Sequence, residues 1–285
     1  MELTYTRYLM NLLPKRVQES NKGTYGRVTV VGGSKGMAGA AYLAAKAAYR
    51  TGCGLVSIVC PEANRVIHQM QLPEAVLRVY PDEGPGKEWL QDALAGSSAI
   101  VLGPGLGQSE SSLDLVTWTL EAASMPIVLD ADGLNLLAAH PELWPKVPFG
   151  TVITPHPAEM ARLLRCPTET VTADIPGNAI GLADERGVVC VLKSHRTAVS
   201  DGNRLMINNS GNSGMATGGA GDVLSGIIAS LIAQGLQPYN AACLGVYLHG
   251  LAGDEAAAKL GEHAVIASDI IDALPAVIRT AELSQ

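Results

Sequence analysis

Apolar runs rich in branched residues recur along the chain, and each stops at glycine, a turn or a polar cluster. They are "RVTVVGG" (27–33), "GLVSIVC" (54–60), "AIVLGPG" (99–105), "PIVLDAD" (126–132), "TVITP" (151–155) and "VVCVLKS" (188–194). Runs of this length and composition predict strands, and the lack of polar alternation inside them predicts burial on both faces. Between them, "AAYLAAKAAYR" (40–50), "SSLDLVTWTLEAA" (111–123) and "AEMARLLR" (158–165) carry helical spacing. Strands alternating with helices predict an α/β fold with a central, mostly parallel sheet flanked by helices on both faces.

After "VVCVLKS" the rhythm changes. "TAVSDGNRLMIN" (197–208) predicts two short strands around an Asp201-Gly202 turn. From Asp222 the chain is predicted to be nearly all helix, in about three segments. Neither an internal repeat nor a Pro/Ser linker divides it, so residues 1–285 are expected to form one domain, with 1–21 as an N-terminal arm.

Composition narrows the function classes. The 285 residues are 47% hydrophobic and 16% charged, a globular balance, and the formal charge of −7 comes without a basic cluster, so no nucleic-acid backbone is expected as partner. Any phosphate must be held by backbone N–H groups and a few cations. Five cysteines, Cys53, Cys60, Cys166, Cys190 and Cys243, form no CxxC pair and are odd in number. That argues against a zinc site or a full disulfide set and for a reducing, cytoplasmic setting. "MELTYTRYLMNLLPKR" lacks the basic start and continuous apolar stretch of a signal peptide, and the run near 223–233 is too short to span a bilayer, so no membrane is expected.

The densest chemistry lies in "GMATGGAGDVLSG" (214–226), where Gly218, Gly219 and Gly221 precede Asp222 and an apolar helix pattern follows. Glycines at a helix N-terminus expose unpaired N–H groups and the positive end of the helix dipole to an anion. A carboxylate beside such a hole would repel the bound anion, but it can accept the proton of an attacking hydroxyl during phosphoryl transfer. Asp222 is therefore read as a general base, against the alternative of a first-turn helix acid contributing about 1 kcal/mol.

Other stretches supply candidates at strand ends, where ligands bind in open parallel sheets. Gly33, Gly36 and Gly39 miss the GxGxxG spacing and read as a tight turn or a ligand loop. Gly103 to Gly107 end another strand. Asp130 and Asp132 read as a turn and cap rather than a metal pair. His156, stiffened by Pro155 and Pro157, reads equally as structural or as a ligand contact, with Glu159 nearby. Lys193 and Arg196 are cations with an anion-binding use, or solvated surface charge. Cys190 and Cys243 read as core.

Taken in series, "GGSKGMAGAAYLAAKAAYRTGCGLV", "GPGLG", "LDADGLN", "TPHPAEMARLL", "LKSHRT" and "GNSGMATGGAGDVLSG" resemble the ADP- or ATP-dependent NAD(P)H-hydrate dehydratases, from about Lys22 to the final helices. The resemblance implies a ribokinase-like fold and a lyase of metabolite repair. Such an enzyme returns the 6S hydrate of NADH or NADPH to the dihydronicotinamide by phosphorylating the C6 hydroxyl and eliminating phosphate. By position it implies Asp222 as the base; Ala40, Gly103, His156 and Asp222 on the hydrated dinucleotide; and Lys193, Ser194, His195, Arg196, Thr197, Gly219 and Gly221 on the nucleotide. Glu159 matches an acid that orders Mg2+ through water in related kinases.

The resemblance further implies Mg2+, ADP or ATP as co-substrate, and a homotetramer. Ser194 stands where the family usually has glycine, and Ala220 lacks a hydroxyl often found there. Many bacterial relatives add an N-terminal epimerase domain, which a chain of this length is not expected to hold. The competing readings are a hydroxymethylpyrimidine- or hydroxyethylthiazole-type vitamin kinase, which leaves phosphate on its product, and a nucleotide-sensing module, which has no use for Asp222.

Overall fold

The structure is a computed structural model that describes residues 8–283. Of the expected N-terminal arm, residues 1–7 lie outside the described residues. The remainder packs down, with Leu9, Met10 and Leu13 buried and the Arg16 guanidinium 3.8 Å from the Tyr25 ring centre.

From there strand and helix alternate: β1 (Arg27–Val31), α1 (Ala38–Thr51), β2 (Leu55–Pro61), α2 (Arg65–Gln71), β3 (Val76–Tyr80), α3 (Lys87–Leu94), β4 (Ala99–Leu102), α4 (Glu110–Ala122), β5 (Ile127–Leu129), α5 (Asp132–Ala139) and β6 (Val152–Ile153). Three helices follow, α6 (Pro157–Leu164), α7 (Thr168–Ala173) and α8 (Ile175–Arg186), before β7 (Val189–Leu192) and the short pair β8 (Ala198–Ser200) and β9 (Leu205–Ile207). The chain ends in α9 (Ala220–Ala233), α10 (Pro238–Leu260) and α11 (Ala267–Leu283).

All nine strands join one sheet in the order β3-β2-β1-β4-β5-β6-β7-β8-β9. The pairs from β3 to β7 are parallel, and β8 and β9 add antiparallel. Because successive side chains leave a strand on opposite faces, the continuous apolar runs serve two cores at once. Val28, Val30, Val56, Ile58, Val101 and Val191 pack on one face under α1, α9, α10 and α11. Val31, Val59, Ile100, Leu102, Leu129 and Leu192 pack on the other, under α3 to α8.

The closest helix pair is built from small residues. Ala41, Ala44, Ala45 and Ala48 of α1 are fully buried, and a Cβ on Gly226 of α9 would overlap the Ala44 carbonyl oxygen. Two sequence expectations shift slightly. The helix expected from Asp222 starts two residues earlier, at Ala220, because Gly219 takes a left-handed conformation (φ 91°) and closes the turn before it. "TVITP" contributes only Val152 and Ile153 to the ladder.

Candidate functional site

In the strand order, β1 is the point of reversal: β2 and β3 lie on one side of it and β4 to β7 on the other. The loops after β1 and β4 leave the carboxyl ends of the strands on either side of this switch point, the usual ligand position in this architecture. The two glycine loops are laced together across it. Gly33 N–H donates to Pro104 O at 2.9 Å and Ser34 N–H to Gly105 O at 2.7 Å. The buried Asn64 amide donates to Gly33 O at 2.7 Å and Ser34 O at 3.0 Å. Ala40 meets this lacing from α1, since a Cβ on Gly105 (φ 59°) would lie 2.8 Å from the Ala40 methyl. Gly103 (φ 120°) lets β4 pass so close to β5 that a Cβ would overlap the Asp130 carbonyl oxygen.

The glycines at 218–221 do what a bare backbone allows. Gly219 caps α9, and the first intrahelical bond runs from Val223 N–H to Gly219 O at 3.1 Å. The N–H groups of Gly221 and Asp222 are thus left without an intrahelical acceptor at the positive end of the helix. A Cβ on Gly218 would meet nothing within 4 Å, so this face of the turn is open. A Cβ on Gly221 would stand 3.2 Å from Lys193 Nζ and 3.8 Å from Asp130 Oδ2, so a cation and an acid lie directly behind the turn.

Asp222 is the third residue of α9 and half-buried. Among the described residues it has neither an ion pair nor a hydrogen bond through its carboxylate. Burial pushes its carboxyl up to about 7, with the Asp130 charge adding to the rise and Lys193 opposing it. That value suits a base working at neutral pH.

Lys193 lies just past β7, where its N–H is held by Pro155 O at 2.8 Å. Its ammonium is turned inward rather than out along the loop, 3.0 Å from Asp130 Oδ1 and 3.8 Å from Glu159 Oε2. Burial pulls Lys193 down, but the Asp130 and Glu159 charges outweigh it, so the group stays charged. Asp130 is 1% exposed and also accepts from Ser225 Oγ at 2.6 Å. Burial pushes Asp130 up, yet the Lys193 ammonium and its hydrogen bonds hold it below the ordinary carboxylate range.

The two acids of "LDADGLN" therefore part company, which corrects their reading as a common turn and cap. Ala131 between them has φ 49° and ψ −119°, a conformation rare for a residue with a side chain. This reversal sends Asp130 into the interior, while Asp132 stays half-buried and accepts from Gly107 N–H at 2.8 Å.

His156 caps α6. Its Nδ1 accepts from Ala158 N–H at 3.2 Å and Glu159 N–H at 3.4 Å, and Glu159 Oε2 accepts from His156 N–H at 2.8 Å, a reciprocal capping box. With Nδ1 accepting, the ring proton sits on Nε2, which lies 3.2 Å from Glu159 Oε1. Both carboxylate oxygens of Glu159 are thus engaged within the protein, and contact with a metal would run through water. Among the described residues no group of three or more His, Cys, Asp or Glu side chains could hold a metal ion.

The 194–197 turn closes on itself. Arg196 N–H donates to Ser194 Oγ at 3.1 Å, and Ser194 N–H to Thr197 Oγ1 at 3.3 Å. Ser194 thereby gives the turn a hydrogen bond that glycine could not. His195 and Arg196 stand exposed on this turn, apart from the acid cluster.

Sequence reasoning missed three participants. Asp130 reads in the sequence as a turn residue or as half of a metal pair, not as the buried partner of Lys193 and Ser225. Ser225 looked like an interruption of an apolar run, although a serine one turn after Asp222 on a buried helix face needs a partner. His249 in α10 carried no motif. Its ring lies beside the Ala220 backbone at the first turn of α9, where burial pulls it down to about 4 and keeps it a neutral imidazole, and among the described residues its buried Nε2 has no hydrogen-bond partner.

Comparison with known proteins places this geometry. Residues 28–276 match the model of the NAD(P)H-hydrate dehydratase family. A bifunctional NAD(P)H-hydrate repair enzyme from Moorella thermoacetica is 43% identical over 278 residues, covering 95% of this chain and 52% of that protein. The chain thus spans about half the length of such bifunctional relatives. An ADP-dependent (S)-NAD(P)H-hydrate dehydratase from Neisseria meningitidis is 41% identical over 247 residues, covering 84% of this chain and 80% of that protein. Among solved structures, the ADP/ATP-dependent NAD(P)H-hydrate dehydratase of Bacillus subtilis, co-crystallised with ATP/Mg2+, superposes with a TM-score of 0.85 at 32% identity, covering 96% of each chain.

Proposed function

The chain belongs to the NAD(P)H-hydrate dehydratase family, and from that premise we propose that it converts the 6S hydrate of NADH or NADPH back to the dihydronicotinamide at the expense of ADP or ATP. The observation that carries this reading is Asp222, an unpaired and half-buried carboxylate with its pKa raised to about 7, set in the turn whose N–H groups face outward.

Water is a poor leaving group from C6 and phosphate a good one. Asp222 takes the proton of the C6 hydroxyl as that oxygen attacks the terminal phosphorus, and the P–O bond to the nucleotide breaks. The N–H groups of Gly221 and Asp222 stabilise the charge of the transferring phosphoryl group. The ring-nitrogen lone pair then expels phosphate from C6, and loss of a proton from C5 closes the double bond. In this reading Ala40, Gly103 and His156 border the hydrated dinucleotide at the carboxyl ends of the strands, and Lys193 to Thr197 with Gly219 and Gly221 border the nucleotide.

The site fits Mg2+ carried in on the phosphates. Asp130, Glu159 and Asp222 face a single ammonium, Lys193, so the surroundings hold surplus negative charge where a polyphosphate would bind. A hard divalent ion that keeps most of its waters would offset this, with Glu159 ordering those waters. Five cysteines, none of them in a disulfide, suit the cytoplasm. Among the described residues no helix is long and apolar enough to cross a membrane. A homotetramer is the assembly we expect, to be read by analytical ultracentrifugation.

The test is direct. Incubation with hydrated NADH, Mg2+ and ADP or ATP should restore dihydronicotinamide absorbance and release inorganic phosphate. Recovery at full rate without nucleotide or in a chelator would sink the mechanism, and phosphate retained on the product would make the protein a kinase instead.

A further inference from the structure

We propose that Asp130 is a positioning residue that holds the Lys193 ammonium behind Gly221 and away from Asp222, so that Asp222 stays free to accept a proton. The inference rests on the reading of Asp222 as the base.

The geometry is that of a clamp. Asp130 is 1% exposed and uses both oxygens, Oδ1 on Lys193 Nζ at 3.0 Å and Oδ2 on Ser225 Oγ at 2.6 Å. Ser225 Oγ also lies 3.1 Å from Gly221 O, so the same carboxylate ties β5 and β7 to the turn of α9 that carries the base. Lys193 Nζ lies 3.2 Å from where a Gly221 Cβ would be, one residue from Asp222, yet its ion pairs within 4.0 Å are with Asp130 and Glu159. An ammonium this close would capture Asp222 if nothing held it back, because a lysine stem is long and flexible and opposite charges attract strongly away from bulk water. A carboxylate captured in this way becomes a weaker base.

The charged groups that act most strongly on Asp222 are Asp130 after β5, Asp132 at the start of α5, Glu159 on α6 and Lys193 after β7, with the neutral His249 of α10 beside Ala220. Lys193 is the only cation in that set. Removing the Asp130 charge therefore acts on Asp222 in one direction by two routes: a neighbouring negative charge is lost, and the ammonium is released toward it. Both favour the ionised form of Asp222.

The experiment is a 13C-carboxyl NMR titration of the ligand-free protein, with the Asp222 signal assigned through Asp222→Asn. In the wild type the midpoint is expected near pH 7, where burial and Asp130 place it. Asp130→Asn, which keeps size and hydrogen bonding, should lower it by about one pH unit or more. Adding Lys193→Met should bring it back to within about half a unit of wild type or above. The acid limb of kcat/KM should move in parallel with the NMR midpoint, which a purely structural role of Asp130 would not produce. An unchanged or raised midpoint in Asp130→Asn overturns the proposal. If that variant does not fold, Asp130→Asn/Lys193→Met, which removes the pair as a unit, carries the test, and a midpoint more than about one unit below wild type overturns it. A wild-type protein that fails to dehydrate the hydrate would sink the proposed reaction and leave the titration result standing.

Discussion

At the scale of single residues, Asp222 carries two opposing consequences of one environment. Its pKa is raised to about 7 by burial and by Asp130, so the folded protein binds this proton more tightly than the unfolded chain does. Ionising Asp222 therefore costs stability as pH rises above the ordinary carboxylate value, and the full cost is present above about 7. Asp222→Asn should melt at a higher temperature than wild type at pH 8 and show little difference near pH 3. Its kcat should fall by about 10²–10⁴, the usual contribution of a general base, while nucleotide binding survives or tightens with the loss of a nearby negative charge. Near-normal kcat with lowered stability would return Asp222 to a helix-capping role. In the wild type, kcat/KM should rise with pH through about 7. Arg196, exposed on its turn, has a separate expected effect: Arg196→Ala should raise the nucleotide KM with little change in kcat, and the reverse split would remove it from the nucleotide site.

Elements decide how firmly the base is held. The first turn of α9 sits where it does because α9 lies almost in contact with α1, and Gly226 permits this by having no Cβ to strike the Ala44 carbonyl. Gly226→Ala forces the two helices apart, an overpacking change of about 1–3 kcal/mol. It should lower the urea midpoint and reduce kcat together, since the displaced turn carries both the N–H groups and Asp222. Loss of stability with unchanged kcat would show that the turn keeps its place without the helix contact. Several elements left a weak trace in the sequence. β3 (Val76–Tyr80) is an edge strand whose residues are mostly half-exposed or exposed and include Arg78, so it lacked the continuous apolar run that marked the interior strands. α2 and α7, of seven and six residues, are too short for a helical period to stand out.

For the whole molecule, the Asp130 clamp links the ends of β5 and β7 to α9, and its contribution depends on pH. Lys193 and the hydrogen bonds to Asp130 hold its carboxyl below the ordinary range despite burial. Its stabilisation is thus complete above the unfolded-state value near 4 and is lost as pH falls below that through the folded-state pKa. Thermal melts should lose stability below about pH 4, and Asp130→Asn should start lower but show a shallower decline. Equal slopes for the two proteins would place the acid sensitivity elsewhere. The sheet order has a functional side as well. By reversing at β1, the ribokinase-like arrangement brings the loops after β1 and β4 to the same edge as the start of α9, so residues 33, 103 and 222 lie at one edge of the sheet.

The α/β class, most of the interior strands and the glycine-rich start of α9 were legible in the sequence because each depends on local physics. Buried parallel strands need unbroken apolar runs, a helix needs its period, and an N–H hole needs residues without side chains. Asp222 stood out for the same reason, as a charge placed beside bare backbone. What Asp130, Ser225 and His249 do could not be read from the chain, because their partners are distant in sequence: Asp130 meets Lys193 63 residues away and Ser225 95 residues away. Only tertiary packing turned Lys193 inward onto acids rather than outward along its loop, and only burial, with the Asp130 charge beside it, raised Asp222 to about 7. Both effects come from removing charges from water, which happens when the sheet and its two helical layers close around them.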